Sequence, residues 1–131
     1  AVHNFGPLAP DTFKIALYTA LSTIGPSTTV YTPTAEVVGT GYTAGGNTLV
    51  ISTSPTAAAN NAGIPTAFVS FANTVWPAAT FTARGALIYN SSKSNTSVAV
   101  LDFGADKTVA SGTFEIVFPA ADATSAIVRI T

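Results

Sequence analysis

The sequence predicts an all-β fold: a single-domain β-sandwich or jelly-roll-like barrel of about eight strands, with an extended N-terminal arm. Three observations predict it. Apolar Ala, Val, Ile and Phe are interleaved with Thr and Ser, the alternation of strands with one buried and one exposed face. Clusters of Gly, Pro, Asn and Ser punctuate the chain every ten residues or so. No stretch sustains the apolar spacing of a helix, and no internal repeat is visible.

Residues 1 to 11, AVHNFGPLAPD, hold His3, Phe5, Leu8 and two prolines without periodicity and read as the arm, leaving 12 to 131 as the sandwich. FKIALYT (Phe13 to Thr19) sets Phe13, Ile15 and Leu17 against Lys14, Ala16 and Tyr18, a half-buried strand whose alternative is a short helix through Ala20. Gly25 to Ser27 break it. TVYT (Thr29 to Thr32) and AEVVG (Ala35 to Gly39) are short strands on either side of Pro33, and NTLVIST (Asn47 to Thr53) follows a glycine turn. SPTAAANNAGIPT (Ser54 to Thr66), small and proline-bearing, reads as an exposed loop.

AFVSFA (Ala67 to Ala72) leads into NTVWP, with the single tryptophan, Trp76, just before Pro77. TFTARGALIYN (Thr80 to Asn90) is the longest strand signal. Its alternation assigns Phe81, Ala83, Gly85, Leu87 and Tyr89 to one face, and Thr80, Thr82, Arg84, Ala86 and Ile88 to the other. SSKSN is a hairpin loop, SVAVLDF (Ser97 to Phe103) a strand, GADKTVASG a turn, TFEIVFP (Thr113 to Pro119) a strand and AIVRI (Ala126 to Ile130) the closing strand. The expected inward set is Phe13, Ile15, Leu17, Phe81, Leu87, Tyr89, Leu101, Phe103, Phe114, Ile116 and Phe118.

The 131 residues contain five basic and six acidic side chains, a net charge of −1, and only 8% are charged, against about 25% in an ordinary soluble domain. That balance gives no electrostatic footprint for nucleic acid. Mean hydropathy is +0.44, yet no uninterrupted apolar run approaches the roughly 18 residues of a membrane-spanning helix. Cysteine is absent, so disulfides and thiolate metal sites are excluded. The first residues lack the basic and apolar regions of a signal peptide. Thr- and Ala-faced strands with few charges do little to protect sheet edges, so self-association as a dimer or trimer is expected.

GTGYTAGGNT (Gly39 to Thr48) departs by one residue from a phosphate-binding loop, reading G-x-x-x-x-G-N-T from Gly41. Asn47 supplies no ammonium to the phosphates, and β-branched residues follow where a helix is needed, so the stretch is a tight connection using φ > 0 at Gly45 or Gly46. The single histidine, His3, has no second imidazole for a metal, and Asp102, Asp106 and Asp122 lack calcium-loop spacing. Asp102-Phe103-Gly104 imitates the kinase tripeptide in a chain far too short for a kinase. No G-x-S-x-G occurs, and although a carboxylate pair could in principle be drawn from Glu36, Glu115 and the aspartates, six acids in a domain this size carry no information about pairing. The expectation is a non-enzymatic protein without cofactor or metal.

VHNFG near the start, DTFKIALYT, EVVGTGYTAGGNTL, FTARGALIYN, VAVLDFGADK, GTFEIVFPAAD and AIVRI, in that order along nearly the whole chain, resemble a family of small virion structural proteins of tailed bacteriophages. The resemblance implies a structural component of the particle. Small size and the lack of a fibrous repeat favour a capsid decoration, or cement, protein on the outer surface of the capsid, with the major capsid protein as partner. A tail, baseplate or fibre-attachment component is the second reading. A stand-alone lectin-like module, stacking sugars on Trp76 and Tyr89, is the third.

The candidate interface residues are His3, Phe5 and Leu8 of the arm, with Trp76 and Arg84. Burying Phe5 and Leu8 on a neighbour would contribute on the order of 3 to 6 kcal/mol before ordering costs. Arg84, in an apolar strand, is expected to pair with a carboxylate or to lie at an interface.

Overall fold

Phe13, Ile15 and Leu17 are all buried in strand β1 (Phe13–Tyr18), which lies inside a sheet. The computed structural model describes residues 3–130, and these form seven strands and no helix. After β1 come β2 (Asn47–Thr48), β3 (Ile51–Ala59), β4 (Pro65–Phe71), β5 (Thr74–Asn90), β6 (Thr96–Ile116) and β7 (Val128–Ile130). The strands make two antiparallel sheets, ordered β2-β1-β5-β6 and β3-β4-β7. Packed against each other they form a β-sandwich, with seven strands where about eight were expected.

The main core lies between the sheets. Phe71 of β4 sits 5.9 Å from Phe13 and 5.7 Å from Phe118 between ring centroids, and Ile51 and Val128 join from the same sheet. Phe81 and Trp76 of β5 meet Phe114 of β6 at 5.1 and 5.9 Å. Leu101, Phe103 and Phe114 of the expected inward set are half-buried, because β6 is the edge of its sheet and among the described residues is flanked only near its start, by the Val30↔Thr96 bridge.

One core face was misassigned. Phe81, Ala83, Ala86 and Ile88 share the main core, whereas Leu87 and Tyr89 belong to a second cluster with Ala16 and Tyr18. The strand changes parity between Ala83 and Ala86. There the register moves two residues along β5, from Ala83↔Lys107 to Gly85↔Asp102, and five along β6. Such a bulge turns side chains to the other face. Gly85 permits the close approach: a Cβ there would stand 2.7 Å from the Leu101 carbonyl oxygen.

The second cluster is roofed by the long connection between β1 and β2, through Ile24 and Tyr31, with Tyr31 stacked on Tyr89 at 4.8 Å. The strands expected at 29–32 and 35–39 reduce to isolated bridges, Val30↔Thr96 and Tyr18↔Glu36. Pro33 offers no amide, and Ala35 turns with φ 59.

Two expected breaks are strands instead. Ser54–Ala59 continues β3, paired through Ala57↔Ala67 and Ala58↔Thr66. Pro55 is tolerated because β3 is an edge strand. GADKTVASG continues β6: Gly104 at φ 77 and Ser111 at φ 49 lie beside register shifts, and the chain does not reverse.

Candidate interaction surface

Residues 3–11 contain no strand and fold back on their own domain. Phe5 lies flat on Phe13, with centroids 4.4 Å apart and planes at 4°, and meets Phe71 edge to face. Asn90, fully buried at the end of β5, donates its amide to Asp11 Oδ2 at 2.8 Å and lies 3.0 Å from His3 Nδ1. The Asn4 amide reaches the same Asp11 oxygen at 2.8 Å, and the Asp11 amide returns to the Asn4 carbonyl at 2.9 Å. These donors, the Asn4 amide first and the Asn90 side chain next, hold the Asp11 carboxyl below its ordinary range. Of the arm residues chosen from sequence, Leu8 alone points fully outward, at 86% exposure.

Trp76 is not at the surface. It is 2% exposed, set between Tyr42 and Phe114, and its place among the interface residues is corrected to the core. Pro77 follows it within β5, where the register with β6 shifts. Tyr89 is buried as well, so neither ring is free to stack on a sugar. Arg84 pairs with Asp102 across β5 and β6 at 3.4 Å, both partly open to solvent. The pair lines a groove of about 300 Å³ shared with Tyr18, Thr19, Ile24 and Val100. Asp102 is held below the usual carboxylate range by the Gly104 amide first and Arg84 second.

The glycine-rich loop does receive an anion, and the anion is the chain's own. Gly45 donates its amide to Glu36 Oε1 at 2.7 Å; the same oxygen takes the Tyr42 hydroxyl and Oε2 takes Tyr31, both at 2.6 Å. Gly45 and Gly46 both have positive φ, at 90° and 74°, as the turn requires. Glu36 is buried beneath this cover. Burial first, and the Glu36 carboxylate second, raise Tyr31 and Tyr42 far above the ordinary phenol, and burial lifts Tyr18 to about 12. The Gly45 amide is thereby taken and is not left for a phosphate. In the sequence Glu36 is one acid among six, and its position alone in a valine-rich segment is the available signal.

The broadest exposed charge-free surface lies elsewhere. No charged residue occurs between Glu36 and Arg84. Within that span the β3–β4 hairpin exposes Ser54–Ala59 and Asn61–Pro65, and Val38, Val50, Ile64 and Val75 stand out as exposed large apolar residues. β3 is also a sheet edge, with free hydrogen-bonding capacity along one side. Among the described residues no three His, Asp or Glu side chains gather as a metal site, and no helix is long and apolar enough to cross a membrane.

No family model, curated protein or solved structure matches the chain.

Proposed function

We propose that the protein is a non-enzymatic structural component of a tailed-bacteriophage virion, a decoration or cement protein bound to the outer surface of the major capsid shell. The observation that carries this reading is the exposed, charge-free β3–β4 hairpin, whose outer strand is an open edge. An edge bearing neither lysine nor glutamate is a template for another chain, and natural monomers blunt such edges with charge. Pro55 interrupts it at one position only. The ordered sequence blocks that resemble small virion proteins supply the class of partner. Many copies on a shell tolerate links that are individually weak, because repetition multiplies them.

The site chemistry supports binding over catalysis. Among the described residues the one buried carboxylate, Glu36, is saturated by two phenols and an amide, and the one histidine is committed to Asn90. Antibody labelling of purified particles tests the assignment. A cement protein decorates the whole shell, and its removal lowers the temperature at which the capsid opens. Label confined to the tail or to one vertex would transfer the protein to the tail or baseplate. Absence from particles would end the virion reading altogether.

A further inference from the structure

The N-terminal segment is held by contacts that any copy of the chain offers equally. Phe5 fills a place on Phe13, and the His3–Asn90–Asp11 set fixes the backbone beside it. What joins this segment to β1 is Gly6-Pro7-Leu8-Ala9-Pro10, a reversal whose last four residues are exposed and supply nothing to the core. The reversal is strained. Ala9 has φ 47, in the left-handed region that a Cβ disfavours, and it immediately precedes a proline.

We propose that residues 3–6 are exchanged between two copies of the chain, each Phe5 lying on the Phe13 of the other. Opened, residues 6–10 provide about 17 Å of reach, and prolines at positions 7 and 10 favour the extended form. Extension relieves Ala9. It gives up the hydrogen bond from Asn4 Nδ2 to the Ala9 carbonyl and exposes no new core. The Phe5–Phe13 stack, the Asn4–Asp11 bonds and the His3–Asn90 contact are all remade between chains. Because closed and exchanged forms share nearly every contact, concentration selects between them. The exchange is isologous, so it yields a closed two-fold dimer, and it holds for this chain whether or not its assembly is a capsid.

The test uses the intact protein. Equal amounts of isotope-labelled and unlabelled chain are mixed, unfolded, refolded together and concentrated, and filtered nuclear Overhauser spectra then detect only contacts between chains. A Phe5–Phe13 cross-peak between labelled and unlabelled copies is expected. A contact found only within chains in the associated protein, or a protein that stays monomeric at millimolar concentration, overturns the proposal. Deleting Leu8 and Ala9 leaves too few residues to reverse the chain. That variant is expected to sediment as an obligate dimer; a folded monomer with Phe5 released to solvent also overturns the exchange. Failure of this test leaves particle labelling untouched, so the two readings stand or fall separately.

Discussion

Glu36 Oε1 accepts the Tyr42 hydroxyl at 2.6 Å, and the Tyr42 oxygen in turn accepts the Leu17 amide at 2.9 Å. One phenol thus connects a buried carboxylate to an interior strand. Glu36 has no cation within ion-pair distance among the described residues, and its charge is held by hydrogen bonds alone. Buried charge is tolerated only when such donors are complete, so this network should report sharply on deletion of any member.

Tyr42→Phe removes a bond to a charged group and leaves the Leu17 amide without its acceptor. A loss of about 2 to 4 kcal/mol is expected in urea unfolding. Glu36→Ala, which strands two phenols and the Gly45 amide, is expected to cost about 4 kcal/mol or more. Glu36→Gln keeps one acceptor oxygen for Tyr42 and Gly45, and Tyr31 can rotate to accept from its amide, so about 1 to 2 kcal/mol is expected. Equal losses for Ala and Gln at position 36 would show that the carboxylate geometry is not what matters.

Gly45 and Gly46 separate two costs that sequence alone treats as one. Both have positive φ, but a Cβ on Gly46 would collide with the Ile15 carbonyl oxygen, whereas on Gly45 it meets only the Tyr89 hydroxyl and the Lys14 ammonium, at 3.3 and 3.4 Å. Gly46→Ala is expected to destabilise by more than about 3 kcal/mol, and Gly45→Ala by about 1 to 3 kcal/mol. Gly63→Ala, with positive φ in open space, provides the backbone cost alone. Chemical denaturation of the three variants gives the order directly.

The strands around Phe13, Phe81 and Phe114 were legible because alternation with Thr, Ala and Lys is a local property of the chain. The side on which Leu87 and Tyr89 fall was not, since it depends on a bulge in which five residues of β6 answer two of β5. Ser54–Ala59 looked like a loop because Ala, Ser and Pro carry little strand propensity; pairing with β4 overrides that weakness. The burial of Glu36 was hidden for a related reason. Its donors, Tyr31, Tyr42 and Gly45, converge only through the fold of an irregular connection with no periodicity to read. Phe5 was expected to need a neighbour because nothing in sequence shows Phe13 with an open face.

All four tyrosines are shifted upward, Tyr18 to about 12, by burial first. A phenol whose folded value exceeds its unfolded value of about 10 contributes stability that is complete below pH 10. That stability is lost as pH rises toward the folded values. Tyr18 alone should remove on the order of 1 kcal/mol per pH unit between about 10 and about 12. Absorbance at 295 nm is therefore expected to stay flat through pH 10 and then rise cooperatively with loss of the β-sheet circular dichroism. Four independent titrations near pH 10 would contradict the buried network.

Asp11 reports on the opposite end of the scale. Its carboxyl is depressed below 3.8 by the Asn4 amide and the Asn90 side chain, so its contribution is present above the unfolded value and is lost as pH falls through the folded one. The Asn4 amide resonance is expected to move toward its unfolded position with a midpoint below pH 3.8, while the Phe81 core resonances remain. Asp11→Asn should abolish that titration. A shift of the core and the Asn4 amide together would mean that acid unfolds the domain as a whole.

The last prediction concerns the neutral hairpin. Ala58 is exposed, pairs with Thr66 inside the hairpin, and lies on an edge strand within the span that carries no charge. A lysine there adds the charge that monomeric proteins place on such edges, and its long stem finds room in solvent. Ala58→Lys is expected to leave the urea midpoint within the change produced by about 0.5 kcal/mol. Binding to purified particles should nevertheless fall at least tenfold, since desolvating the added ammonium in an interface costs more than the 1.4 kcal/mol that factor represents. The same substitution at exposed Ala20, on the far connection beside the Arg84 groove, should bind as the parent protein does. If Ala20→Lys releases the protein from particles and Ala58→Lys does not, the contact surface is the Arg84–Asp102 groove, and the hairpin serves only to complete the sandwich.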